Sequence, residues 1–169
     1  KYLKSNSTYY KTPIGFAEII GDKNGIQSIA LLDNSTNEQS SEKFDLPQDI
    51  PECLQECALQ LKEYFKGERT KFDLLLNPQG TSFQKLVWKE LCNIPFGKTR
   101  SYLAQSKLIG DPKAVRAVAS ANGKNPIWIV VPCHRVIGSD GSLTGYAGGL
   151  WRKKWLLDHE SPVKQQSLF

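Results

Sequence analysis

Cys133, His134 and Arg135 are consecutive in the sequence, directly after Pro132 and an apolar run from Ile127 to Val131. A thiol beside a base and a fixed cation is a candidate nucleophile, because the thiolate is the attacking species and nearby positive charge favours it. Cysteine is equally at home as a small buried hydrophobe, so the triplet alone leaves a reactive and an inert reading open. The apolar run has the composition of a buried strand, and Pro132 stops it. Gly138-Ser139-Asp140-Gly141-Ser142 then reads as a turn that brings the chain back as a short closing loop.

The elements that must position this triplet follow from the rest of the chain. Its 169 residues, 40% of them hydrophobic, suit one compact unit or two small ones. No apolar stretch approaches the roughly 18 residues of a membrane span, and no signal peptide is recognised. Four cysteines without framework spacing point to a reducing, cytoplasmic setting. Residues 1–80 hold 9 Lys/Arg against 12 Asp/Glu, a net of −3, whereas residues 81–169 hold 13 against 5, a net of +8. The basic half has the electrostatic footprint of a polyanion binder; a solubilising surface is the plain alternative.

In the first half, residues 15–20 and 26–32 read as two strands joined at Asn24-Gly25. Residues 33–50 read as a surface loop. Pro51 opens a helix to Phe65, ended by Gly67. Cys53 and Cys57 are four apart on it, a spacing able to grip a metal, but no His and no second Cys pair accompanies them, and no metal is expected. Residues 72–76 read as another strand. Thr81 caps a helix through Cys92 with Phe83, Leu86, Val87 and Leu91 on its apolar face and Cys92, beside that face, expected in the core. Ser101 caps a helix from Tyr102 to Ile109. Asp111 and Pro112 are placed to start the next helix, over residues 113–122. Two helices across a short Gly turn, in a basic domain, have the form of a helix-turn-helix.

The second of these helices carries small residues apart from Lys113 and Arg116. Reading base edges in a major groove calls for several long polar side chains, which it lacks. It suits a close, largely sequence-independent approach to a groove, with Arg116 as a wedge or stacking cation. An Ala-rich packing helix with Arg116 in a surface ion pair is the other possibility.

The motifs Gly80-Thr81-x-Phe83-Gln84-x-x-Val87-Trp88, Ile94-Pro95-x-Gly97-x-Thr99-x-Ser101-Tyr102, Arg116-Ala117-Val118 and Asn125-Pro126 resemble those of the 6-O-alkylguanine-DNA alkyltransferases, in particular the bacterial Ogt-like members. So do Pro132-Cys133-His134-Arg135-Val136-Ile137, Thr144-Gly145-Tyr146-Ala147-Gly148-Gly149 and Leu156-Leu157-x-His159-Glu160. The resemblance covers residues 72–160. It implies an α/β (α+β) fold with a small N-terminal sheet-plus-helix (ribonuclease H-like) support domain over residues 1–76. A mostly helical DNA-binding and alkyl-acceptor domain with a helix-turn-helix (winged-helix-like) follows over 77–161, and residues 162–169 form a tail.

The implied activity is DNA repair. An alkylated guanine, and with it 4-O-alkylated thymine, is flipped from double-stranded DNA and its alkyl group passes irreversibly to Cys133, once per molecule. The resemblance makes His134 the base acting through a water, Glu160 its orienting group and Tyr102 the proton donor to the leaving guanine. Cys133 and His134 on extended backbone would point to opposite faces, which argues against a direct bond between them. Arg116 would fill the gap left by the base, with Lys113, Ala114, Ala117, Ser120 and Tyr102 along the DNA. Asn125 would tie the turn before the active-site strand. Main-chain groups of Cys133, Val136 and Ala147 would read the base, against a wall formed by Tyr146. Trp128 is expected to narrow the base pocket for bulky adducts.

Competing roles are packing for Tyr102 and pairing with Arg135 for Glu160. Residues 151–154 (Trp-Arg-Lys-Lys) read as a solvated helix face with one buried Trp. No cofactor is implied and the protein is expected to be a monomer. Gln165-Gln166-Ser167-Leu168-Phe169 is similar to the short motif that docks bacterial repair proteins into the sliding clamp. Other functional classes weighed are a non-catalytic damage sensor, which Cys133 opposes; a cysteine hydrolase, which needs a direct Cys–His pair; and a sequence-reading regulator, for which the second helix is unsuited. An S-adenosylmethionine-type methyltransferase is opposed by the lack of a Gly-rich loop after a strand.

Overall fold

A computed structural model describes residues 6–33 and 50–162. Most of the expected surface loop and the whole of Gln165–Phe169 lie outside the described residues. The fold is mixed α/β, with a small N-terminal sheet domain and a helical C-terminal one. The described residues fall into two units, one of residues up to 79 together with 126–128, the other of residues 80–125 and 129 onward.

The first unit is an antiparallel sheet in the order β1 (Asn6–Thr12), β2 (Gly15–Asp22), β3 (Gly25–Leu32), with the helix α1 (Glu52–Phe65) packed on it. β2 and β3 alternate inward residues such as Ala17, Ile19, Ile29 and Leu31 with half-exposed ones, as a sheet with one covered face must. Their turn pairs Asp22 with Gly25 across Lys23-Asn24, and Asp22 Oδ1 accepts from the Asn24 N–H. β1 was not expected. Its buried side chains are Thr8 and Thr12, so no apolar alternation marks it. α1 buries Leu54, Cys57, Ala58, Leu61 and Tyr64 along one stripe; each of the two leucines contributes roughly 1.5–3 kcal/mol.

Two expected strands are absent. Residues 72–76 make one parallel bridge, Leu76 to Ile26. The run from Ile127 to Val131 does the same at Ile127, opposite Ile29, and then turns over residues 128–130. Ile129 sits at φ 74, a conformation that a β-branched residue rarely adopts. The run is apolar because Ile127, Ile129, Val130 and Val131 are all buried; burial alone does not make a strand.

The second unit is built from α2 (Ser82–Leu91), β4 (Arg100–Ser101), α3 (Tyr102–Ile109), α4 (Val115–Gly123), β5 (Val136–Ile137) and α5 (Leu150–Glu160). Thr81 opens α2 with a full capping box: its Oγ1 accepts from the Gln84 N–H, and Gln84 Oε1 accepts from the Thr81 N–H. α2 buries Val87, Trp88 and Leu91, whereas Phe83 and Leu86 are exposed, as is Cys92. The buried stripe of α2 is thus one residue to the side of the expected face. The Trp88 indole donates to the Ala121 carbonyl at 2.8 Å and ties α2 to α4. Ser101 caps α3 and Gly110, left-handed at φ 106, ends it. α4 starts two residues later than expected, because Asp111 Oδ1 closes a turn onto the Lys113 N–H and leaves Ala114 as the cap.

Candidate active site

Cys133, His134 and Arg135 form one turn of 3₁₀ helix, not extended chain. The parallel pairing of Val136 with Arg100 and of Ile137 with Ser101 fixes the end of that turn against the start of α3. Tyr102, the first residue of α3, is thereby held near Cys133 although 31 positions separate them in the sequence.

Cys133, only 8% exposed, lines a cavity of about 480 Å³ together with Tyr102, Arg116, Ala119, Asn122 and the loop residues Thr144–Ala147. Asn125, buried behind the thiol, donates through Nδ2 to the Val131 carbonyl at 2.8 Å and to Cys133 Sγ at 3.2 Å. Burial pushes the Cys133 thiol above its ordinary pKa, against the pull of the Asn125 amide and the Lys153 ammonium. A thiol in that state requires a base to become a nucleophile.

His134 is fully buried, with Nε2 2.8 Å from Glu160 Oε2. Its Nδ1 is shielded and has no hydrogen-bond partner among the described residues. A proton on Nε2, shared with the carboxylate, leaves Nδ1 as the basic lone pair. Burial also lowers the His134 pKa; the Glu160 contact opposes this and the Arg135 charge adds to it. Glu160 itself is grasped from the other side, since Arg135 Nε and Nη2 donate to its two oxygens at 2.7 and 3.0 Å, and Arg135 Nη1 to Ile94 O at 2.7 Å. Burial pushes the Glu160 carboxyl up, but the bonds and charges of His134 and Arg135 prevail and bring it down to about 2. The two roles weighed for Glu160, partner of His134 and partner of Arg135, coexist.

The loop that lines the cavity at Thr144 and Gly145 is held by a residue that the sequence reading placed on a solvated face. Lys153 is 0% exposed, and its ammonium donates to the Thr144 and Gly145 carbonyls at 3.0 and 3.3 Å. The Tyr102 hydroxyl donates to the same Thr144 carbonyl at 2.9 Å. Residues 151–154 therefore invert the expected pattern: Arg152 and Lys153 are buried, and Trp151 is exposed with the Arg152 guanidinium against its ring. Lys153, Leu156 and Glu160 form the inner stripe of α5, so one helix holds both the loop and the imidazole.

The profile of the 6-O-methylguanine DNA methyltransferase DNA-binding domain matches residues 82–162, and that of the ribonuclease-like domain of the same proteins matches residues 7–78. A methylated-DNA–protein-cysteine methyltransferase of Methanosarcina barkeri is 46% identical over 153 residues, covering 89% of this chain and 93% of the relative. The chain belongs to the 6-O-methylguanine DNA methyltransferase family. Its activity class is that of the methylated-DNA–protein-cysteine methyltransferases, in DNA alkyl repair. A crystal structure of Mycobacterium tuberculosis O6-methylguanine methyltransferase superposes with a TM-score of 0.79 at 42% identity, over 95% of this chain and 96% of that one. The same organism's Ogt in complex with DNA gives 0.78 at 43%, over 94% and 96%.

Within this methyltransferase the remaining expected residues divide. Lys113, Arg116, Ala117 and Ser120 are exposed on or beside α4, with Ala114 half-buried at its cap. Tyr146 and Ala147 line the cavity. Val136 does not: it is fully buried in the β4–β5 ladder. Trp128 does not either, because the chain leaves Asn125 to pair with β3, and the Trp128 N–H donates to Ile29 O in the first unit. The expectation that it narrows the pocket is withdrawn. Asn122 was missed, and the small side chains around it gave no signal for a buried polar group.

Proposed function

We propose that this methyltransferase removes alkyl groups from the 6-oxygen of guanine in double-stranded DNA by a single irreversible transfer to Cys133, with the 4-oxygen of thymine as a second target. The observation that carries the reading is a buried thiol lining a cavity, followed in the chain by an imidazole whose Nε2 lies 2.8 Å from a buried carboxylate and whose Nδ1 has no hydrogen-bond partner among the described residues. In the proposed step His134 takes the Cys133 proton through a water, and the sulfur attacks the alkyl carbon. The carbon–oxygen bond breaks, and Tyr102 donates a proton to the departing guanine, which leaves with its 6-oxygen restored. Asn125 steadies the developing thiolate by its bond to Sγ. Because a stacked base cannot reach such a cavity, the lesion is flipped out. α3 and α4 serve as the helix-turn-helix, with Arg116 as wedge.

Intact mass after mixing with a duplex holding one methylated guanine tests the proposal. A gain of about 14 Da, one methyl for one hydrogen, located on Cys133 and absent in Cys133→Ser, is the expected result. Tight lesion binding without the gain would instead make the chain a damage sensor.

A finer proposal concerns the partner. Gln165–Phe169 would dock into a bacterial sliding clamp; its support is the sequence of those five residues. Unchanged clamp affinity after deletion of residues 165–169 overturns it.

A further inference from the structure

α3 is docked without an apolar core of its own. Its buried side chains are Gln105 and Ser106, while Leu103 and Leu108 face outward. Ser106 turns back to the Tyr102 carbonyl within the helix. Toward α4 the helix presents an amide. Gln105 Nε2 donates to Asn122 Oδ1 at 2.9 Å, and Asn122 Nδ2 donates to Gln105 Oε1 at 2.8 Å. The pair is shielded from water, Gln105 being 0% and Asn122 6% exposed.

Two reciprocal bonds between planar groups fix both the separation and the roll of the elements that carry them; greasy contacts alone would leave both softer. The placement of this pair gives that rigidity a use. Gln105 lies one turn after Tyr102, on the neighbouring position of α3. Asn122 lines the cavity on α4 together with Arg116 and Ala119. The amide pair thus links the helix that carries Tyr102 to α4, and Cys133 lines the same cavity as Tyr102 and Asn122.

We infer that Gln105 and Asn122 are positioning residues for alkyl transfer: their clasp sets where the Tyr102 hydroxyl stands relative to α4 and Cys133. The inference rests on the role proposed above for Tyr102. Neither residue is needed for the chemistry itself, and each acts through the helix it holds.

Removing one amide strands its partner in the interior, whereas replacing both by apolar groups of similar size restores a satisfied interior. Stability and positioning are separable on that ground. Gln105→Leu, the pair Gln105→Leu/Asn122→Leu, and the exchanged pair Gln105→Asn/Asn122→Gln are compared for melting temperature and for single-turnover transfer rate at saturating lesion duplex. Each is measured with and without Tyr102→Phe.

The expected result is that Gln105→Leu loses stability and the double Leu variant regains it. The double variant nevertheless transfers about tenfold to a hundredfold more slowly, the size of effect that a misplaced group produces. The exchanged pair recovers rate. In the Tyr102→Phe background the double Leu substitution removes little further, because its effect has passed through the missing hydroxyl. A double Leu variant with wild-type rate, or a loss that simply multiplies with that of Tyr102→Phe, overturns the clasp while leaving the alkyl-acceptor reading intact. A wild-type protein that gains no methyl group overturns that reading itself.

Discussion

At pH 7 the imidazole of His134 is neutral and buried, and its folded pKa lies below the ordinary 6.5. On unfolding it regains the ordinary value, so below about 6.5 the unfolded chain binds a proton that the native one refuses. The stability that this group contributes is present in full above 6.5 and drains away as the pH falls toward the folded value. Glu160 acts in the same direction lower down. Its stabilisation is present above the ordinary 4.5 and is lost as the pH falls toward about 2. The expected outcome is a melting temperature that declines from pH 7 to pH 5 in the wild type and declines less in His134→Gln, measured by calorimetry across that range. Much of the chemistry was legible residue by residue. The motifs around Cys133, His134 and Glu160 single these residues out, and the structure pairs His134 with Glu160 directly after Cys133 in the chain. Lys153 does not, because a lysine in a Lys-Lys pair looks solvated until two main-chain carbonyls are brought to its ammonium by a loop nine residues away.

Individual elements were legible where punctuation fixed them and illegible where tertiary pairing did. Thr81 with Gln84, Ser101 and Gly110 marked their helix ends because a cap is a local bond between near neighbours. The 128–130 turn had no such mark, since the pairing of Ile127 with Ile29 is made across almost a hundred residues. β1 escaped because threonines occupy its inward positions, and Asp111 misled because the same side-chain oxygen serves a turn as well as a helix. Cys133 and His134 make no direct side-chain bond, although they lie on a 3₁₀ turn and not on extended chain, and His134 Nε2 turns to Glu160. The box at Thr81 supplies the prediction at this scale. Thr81→Ala releases the Gln84 N–H and costs about 1 kcal/mol of stability, read from denaturant midpoints, and transfer by the folded protein stays unchanged.

Charge is a property of the whole molecule, and here it is divided: a net of −3 over residues 1–80 and +8 over residues 81–169. A basic half that meets phosphates releases counterions, so affinity for duplex DNA falls linearly on a logarithmic scale with added salt, at about 0.9 per phosphate neutralised. Lys113→Ala is expected to shallow that slope by about one, in titrations on undamaged duplex at several salt concentrations.

The bond from Asn125 to Cys133 Sγ has a consequence for what becomes of the protein after use. A thioether accepts hydrogen bonds poorly, and its added methyl group must be housed where Cys133 is 8% exposed and its sulfur already in contact with the amide. The spent molecule is therefore the less stable one, with a melting temperature expected to fall by about 2–10 °C on stoichiometric methylation and not in Cys133→Ser treated alike. Since a fraction-unfolded shift of that size alters how fast a protein is degraded, fresh and exhausted copies are expected to differ in lifetime without any factor having to recognise the mark. Clearance would then be written into the same contact that prepares the sulfur, and the pool would renew itself in step with the damage it has absorbed.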